Sequence, residues 1–356
     1  MAERIRIGVA GLGRIGWNFH CRQLAGHERF LLAGVADPDA ERCQEAVATY
    51  GCRAFATFAD LLTHAELDAV VIATPTHLHT EMVKAATAKG LHVLLEKPMA
   101  PTLGEAREIA QAAQNAGTIL TVYQPHRHSA YFQHLKAIVD SGRIGRVYWV
   151  QRGAFNYARR NDWQALLKYG GGMLSNYGAH YLDQILQLVG YDVKRVFCNL
   201  QLVASLGDAE DVVKVVLETE QGVLGECTIN QASTIRPYDF LVWGTHGAVS
   251  FAQNRFRLRW FEPDSLPPKQ LDPSLSSEGR KYPSDAIDYH EEDFPVDPSY
   301  AVDVFANLAD AIQQGHPVAV PPAETLALME VTERCRTDSG GIRHAPSSSS
   351  GSDAAG

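Results

Sequence analysis

From Ile5 to about Tyr123, short apolar runs alternate with longer stretches whose apolar positions recur three or four residues apart. The runs Ile5–Ala10, Phe30–Ala36, 69–73, 92–95 and 119–122 are rich in Val, Ile and Leu. Continuous apolar runs of that length suit strands buried on both faces, as in a parallel sheet. Between them, Ala40–Tyr50, 80–89 and 104–115 carry helical periodicity, with Gly51 and Gly90 placed as left-handed C-terminal caps. This alternation predicts an α/β, doubly wound first domain over residues 1–123.

Beyond Tyr123 the rhythm changes. Helices are expected at 131–140 and 175–188, and strands at Val147–Phe155, 193–204, 211–218, 222–230, 240–243 and 256–261. That order predicts an α+β second domain over 124–341, with a large, mostly antiparallel open sheet and helices on one face. Residues 271–298 are polar, acidic and proline-bearing, and read as a surface excursion. Two further helices, near 299–314 and 323–336, are candidates to pack back on the first domain. Residues 342–356, with four consecutive serines, read as a flexible tail.

The 356 residues exceed one typical core, and 46% are hydrophobic, enough for two. Lys and Arg number 32 against 41 Asp and Glu, a net charge of −9 that argues against nucleic acid as a partner. No apolar run approaches the roughly 20 residues of a membrane span, and no secretory h-region opens the chain. The six cysteines form no Cys-x-x-Cys pair, so buried thiols and a cytoplasmic location are expected. His77-x-His79 and His126-x-His128 lack the companions of a zinc set, so no metal is expected.

Gly11-Leu12-Gly13-Arg14-Ile15-Gly16 follows the first strand directly and opens a helix. Gly11 permits the tight turn, Gly13 lets the backbone approach a pyrophosphate, and Gly16 allows close helix–strand packing. Asp37 ends the second strand, where a carboxylate accepts from an adenosine ribose and repels a 2′-phosphate. The competing role for Asp37 is a helix cap ahead of Pro38. The pair of features points to a dinucleotide, NAD before NADP, with Arg14 and Arg42 leaving NADP open. Thr74-Pro75 with His79, and Glu96-Lys97-Pro98, follow the runs 69–73 and 92–95 and should border the same cleft. A lysine there, beside a cationic ring, is biased toward its neutral form.

These blocks, followed by Gly170-Gly171-Gly172-Met173-Leu174-Ser175-Asn176-Tyr177-Gly178-Ala179-His180-Tyr181-Leu182-Asp183, resemble the Gfo/Idh/MocA family over nearly the whole chain. The resemblance implies NAD(P) in the first domain and a sugar or polyol against the open face of the second sheet. It implies that Lys97 contacts the reacting hydroxyl, that His180 is the acid–base residue, and that Lys97–Pro98 is often cis. Many relatives carry aspartate where this chain has Asn176, which hydrogen-bonds without the charge. The expected cofactor contacts are Gly11, Gly13, Arg14, Ile15, Gly16, Asp37, Thr74, Pro75, His79, Glu96, Lys97 and Gln124. The expected substrate contacts are Lys97, Arg127, Tyr157, Arg160, Trp163, Asn176 and His180. The reading is an NAD(P)-dependent dehydrogenase of a sugar or polyol hydroxyl. Its alternatives are an NAD-dependent glycosidase and a non-catalytic NAD-binding relative. A homodimer or homotetramer through the second sheet is expected by the same resemblance.

Overall fold

The computed structural model describes residues 3–273, 282 and 284–344. Its first sheet holds β1 (Ile5–Ala10), β2 (Phe30–Ala36), β3 (Arg53–Phe55), β4 (Ala69–Ile72), β5 (His92–Glu96) and β6 (Leu120–Tyr123). All pair in parallel, in the order β3-β2-β1-β4-β5-β6. The order reverses between β1 and β4, so a crevice opens beyond their carboxyl ends. β3 was not expected: three residues of mixed polarity carry no periodicity to read.

The second sheet comprises β7 (Val147–Phe155), β8 (Val193–Leu202), β9 (Val212–Thr219), β10 (Leu224–Asn230), β11 (Phe240–Gly244), β12 (Gly247–Ala252), β13 (Arg255–Trp260), β14 (His290–Pro295) and β15 (Ile342–His344). Among the described residues it has nine strands, ordered β14-β13-β12-β11-β7-β10-β9-β8-β15. Only β7–β10 and β8–β15 pair in parallel; the rest are antiparallel. Its inner face packs Val150, Cys227, Ile229 and Phe240 against the helices Ala130–Asp140, Ala179–Val189 and Pro322–Ser339. Its outer face carries Trp149 stacked on Trp243 at 4.7 Å and an exposed Phe197.

Two expectations are corrected. The excursion at 271–298 contains β14, although 274–281 and 283 lie outside the described residues. Its acidic residues hid a strand because their partners are basic. Arg255 pairs with Asp293, and Glu291 lies 2.8 Å from Arg259 and 3.7 Å from Arg257. Charged residues on such a strand also blunt an exposed sheet edge. The expected tail begins instead as β15, on β8; residues 345–356 lie outside the described residues.

The helix Val304–Gln314 buries Phe305, Leu308 and Ala309 beside Ile5, Val9 and Phe30. No described helix is long and apolar enough to cross a membrane. All six cysteines are free thiols.

The connector between the domains is anchored by Arg127, an expected substrate contact that is 3% exposed. Its Nε donates to Asp183 Oδ2 at 3.0 Å, its Nη2 meets Asp183 Oδ1, and its Nη1 meets Glu324 and the Ala319 carbonyl. A guanidinium this buried needs its carboxylates, so its chemistry here is structural. Asp183→Ala should lower stability by about 3 kcal/mol, read as an earlier midpoint in thermal or urea denaturation. A loss below about 1 kcal/mol would show that the ion cluster does not hold the connector.

Candidate active site

Gly11 turns the chain after β1 at φ +91°, where a Cβ would lie 2.5 Å from the Ala73 carbonyl oxygen. A Cβ on Gly16 would lie 1.8 Å from the Gly11 oxygen, so only glycine lets the following helix start so close to the strand. Gly13 differs: a Cβ there would meet nothing within 4 Å, leaving one side of the turn open. Asp37 is buried, with Oδ2 accepting from Leu12 N at 2.7 Å and Oδ1 from Asp39 N at 2.9 Å. Asp39, not Asp37, caps the next helix, accepting from Glu41 N and Arg42 N. The capping role for Asp37 is thereby removed, and Oδ2 also lies 3.8 Å from Arg42 Nη1. An open glycine turn beside such a carboxylate fits a dinucleotide.

His79 and Glu96, expected at the cofactor, are turned inward. His79 is fully buried, with Nε2 3.0 Å from the Thr74 carbonyl and Nδ1 3.1 and 3.2 Å from those of Pro98 and Met99. It ties the Thr74-Pro75 loop to the loop after β5, whose Lys97–Pro98 bond is cis. Glu96 Oε1 lies 2.8 Å from His20 Nε2, while Oε2 accepts from Lys97 N at 3.1 Å. These are the struts that place Lys97.

Lys97 reaches across to the second domain, its Nζ donating to the carbonyl and Oδ1 of Asn176, each at 3.4 Å. Burial pushes its pKa below the usual lysine value, Glu96 opposes and Arg14 assists. Asn176 in turn donates from Nδ2 to Gln164 Oε1 at 3.3 Å, and Arg160 donates to that same oxygen. Asp162 holds Arg160 at 3.1 and 2.8 Å. The chain of contacts fixes the Asn176 amide: its nitrogen meets Gln164, so its oxygen meets Lys97.

His180 is oriented from behind. Its Nδ1 lies 2.9 Å from Gln124 Oε1, and Gln124 Nε2 donates to the Ala179 carbonyl at 3.3 Å. With the Gln124 oxygen committed to the ring, Nδ1 carries the proton and Nε2 a lone pair. Burial, then Lys97 and His126, holds the His180 pKa well below 6.5. His126 stacks on it at 4.4 Å and is itself pushed down to about 4, by burial, then Arg152 and Lys97. Arg14, His126, Arg160, Gln164, Asn176, Tyr177 and His180 line one open cleft of about 290 Å³.

Several expectations are redrawn. Asn176 and His180 do not share a regular helical face, because Leu174–Gly178 is a π-helical turn that only then becomes α-helix. The wider turn still delivers both residues to the cleft, a frequent use of such turns. The glycine loop serves packing rather than ligand approach. A Cβ on Gly171 would lie 2.5 Å from the Gln164 oxygen, and one on Gly172 2.3 Å from the Glu210 carboxylate. Glu210 accepts from Leu174 N at 2.9 Å, a contact no motif announced. The cleft opens on the helix-bearing side of the second sheet, not its open face, because His180 and Lys97 approach from that side. Tyr157 and Trp163 are 59% and 56% exposed and line no part of it. Gln124 stands behind His180. Gln164 was missed altogether, and nothing in its sequence neighbourhood singles it out. Among the described residues, no group of three or more His, Cys, Asp or Glu is placed to hold a metal.

The chain is similar to known proteins along both of its sheets. Residues 5–124 match the model of an oxidoreductase family with an NAD-binding Rossmann fold, and residues 132–250 match the GFO/IDH/MocA C-terminal domain. Myo-inositol 2-dehydrogenase of Thermotoga maritima is 28% identical over 260 residues, 70% of this chain and 75% of its own length. The rhizopine catabolism protein MocA of Rhizobium meliloti is 29% identical over 257 residues, covering 71% and 79%. The WlbA dehydrogenase of Bordetella pertussis, crystallised with NADH and UDP-GlcNAcA, superposes with a TM-score of 0.75 at 25% identity, covering 95% and 97%. With its dinucleotide turn, its two-domain cleft and both of its domains matched, this chain belongs to the Gfo/Idh/MocA family of NAD-binding oxidoreductases.

Proposed function

We propose that the enzyme reversibly oxidises a secondary hydroxyl of a sugar, sugar derivative or cyclic polyol. The observation that carries this reading is a cleft lined by Asn176, a neutral His180 and Arg14 of the dinucleotide turn, with Lys97 donating to Asn176 at its wall. Bound nicotinamide supplies the two-electron acceptor for the carbinol hydrogen. Lys97 donates a hydrogen bond to the reacting oxygen, and His180 Nε2 takes the hydroxyl proton. Asn176 and Gln164 hold a neighbouring hydroxyl. The relatives named for myo-inositol and for a nucleotide sugar support this substrate class. Asp37, buried against Leu12 N, favours an unphosphorylated ribose and so NAD over NADP.

Removing the lysine tests the assignment. Lys97→Ala should reduce kcat on a turned-over polyol by about 10²–10⁴-fold while NAD affinity stays near wild type. Near-normal turnover would contradict the role, and sugar release from glycosides without net NADH would replace the dehydrogenase reading with a hydrolytic one.

The pH profile gives a second test. His180 is a base once deprotonated, so the acid limb of kcat/KM should lie well below pH 6.5. Lys97 loses its proton below 10.5, which sets the basic limb under that value. Asn176→Asp puts a carboxylate where an amide oxygen now sits 3.4 Å from Nζ. That charge stabilises the ammonium and should move the basic limb up by about one pH unit. An unmoved limb would show that Lys97 does not set it.

The stacked Trp149 and Trp243, with the exposed Phe197 further along the helix-free face of the second sheet, suit a second copy of the chain. Sedimentation at micromolar concentration should give a dimer or tetramer; a monomer would contradict this.

A further inference from the structure

Tyr177 walls both the active-site cleft and, beside it, a second hollow of about 200 Å³. Arg152 of β7 lines it and is only 6% exposed. Its guanidinium lies 3.9 Å from the Tyr181 ring centre and 4.6 Å from that of Phe240. Its Nε donates to Gln184 Oε1 at 3.1 Å, and its Nη1 donates to the carbonyls of Gly153 and Asp239. Nη2 has no hydrogen-bond partner among the described residues, and no described carboxylate pairs with Arg152. Arg127, buried as deeply, has two. Ring faces and carbonyls offset part of the cost of burying this cation, and no described carboxylate shares it.

A second observation lies on the same wall. Gln231 is 5% exposed, and its Oε1 is buried without a donor. A buried acceptor left unmet is costly, and few native ones are. The one carboxylate lining this hollow, Asp239, is taken by Arg236 at 2.6 Å. The lining of the adjoining cleft has Arg14 and Arg160 and no acidic residue. In a chain of net charge −9, these two adjoining spaces are lined by Arg14, Arg152, Arg160 and Arg236 against Asp239 alone.

We propose that the hollow seats the carboxylate of an acidic sugar, an aldonate or uronate whose reacting carbinol lies at Lys97 and His180. This rests on the dehydrogenase reading for the position of the carbinol, but not for the anion site. The carboxylate accepts from Arg152 Nη2, and a hydroxyl beside it donates to Gln231 Oε1. Each unmet group then gains a partner of the right kind. A planar carboxylate needs less room than a phosphate and can accept one charge-assisted hydrogen bond from the single free guanidinium nitrogen.

The test pairs charge with its neutral twin. A panel of aldonates and uronates, each beside its own amide, is titrated into the full-length enzyme with NADH bound, by calorimetry. The same pairs are then assayed with NAD as substrates. At least one acid should bind about tenfold or more tightly than its amide, the size of one charge-assisted hydrogen bond. Arg152→Gln should bring the pair close to equal, and Gln231→Leu should weaken acid and amide alike. Gln231→Leu also serves if Arg152→Gln does not fold, because the acid-to-amide ratio in the wild type stands without either variant. Acid binding that depends on Arg152 without NADH formation would keep the subsite and remove the dehydrogenase reading. Turnover of neutral polyols with an acid-to-amide ratio near one would do the reverse. Binding of no acid, or tighter binding of sugar phosphates than of carboxylates, would overturn the proposal.

Discussion

The buried guanidinium of Arg127 is the constraint from which the site's geometry follows. A cation at 3% exposure must keep Asp183 and Glu324 beside it, which fixes the connector against two helices at once. Asp183 lies one turn beyond His180, and Arg127 lies three residues beyond Gln124. The connector is therefore fastened to the helix by two matched contacts, Gln124 to His180 and Arg127 to Asp183. One sets the register and the other uses it to choose the tautomer of the imidazole. Moving the ion pair would move the base.

The second organising feature is charge. The cleft is lined by two arginines and two amides rather than by carboxylates, and both of its histidines are held neutral. Asn176 belongs to this scheme. Its amide is matched on one side to a Gln164 oxygen that Arg160 has already claimed, and on the other to Lys97. An aspartate there would set an anion against the Gln164 oxygen. The asparagine thus follows from its neighbours, and it leaves Lys97 without the carboxylate that would keep its pKa high. Lowered lysine and histidine pKa values in one cleft are what proton exchange near neutrality needs.

The first domain could be read from sequence because its signals are local. Apolar runs, helix caps and the Gly11–Gly16 turn each depend on neighbours a few residues away, and Asp37 follows at the spacing the dinucleotide fingerprint sets. Lys97, Asn176 and His180 were legible through motif resemblance, and the structure brings them together. What escaped depended on partners distant in the chain. Arg127 resembled a ligand contact until Asp183 and Glu324 appeared beside it. β14 resembled a loop because its acidic residues are explained only by the arginines of β13. Gln164 and Glu210 acquire meaning only when the 160s loop folds over the π-turn. Arg152 carried no signal at all, since a lone arginine in a strand reads as an exposed one until its burial is known.

Nitrogen-15 NMR of histidine-labelled enzyme, with His180→Gln used to assign the signal, tests the central claim most directly. The account predicts that at pH 6 the His180 ring is neutral, protonated on Nδ1, with an unprotonated Nε2. A ring that is an imidazolium at that pH, or that carries its proton on Nε2, would contradict the orientation by Gln124 and the role of His180 as a base.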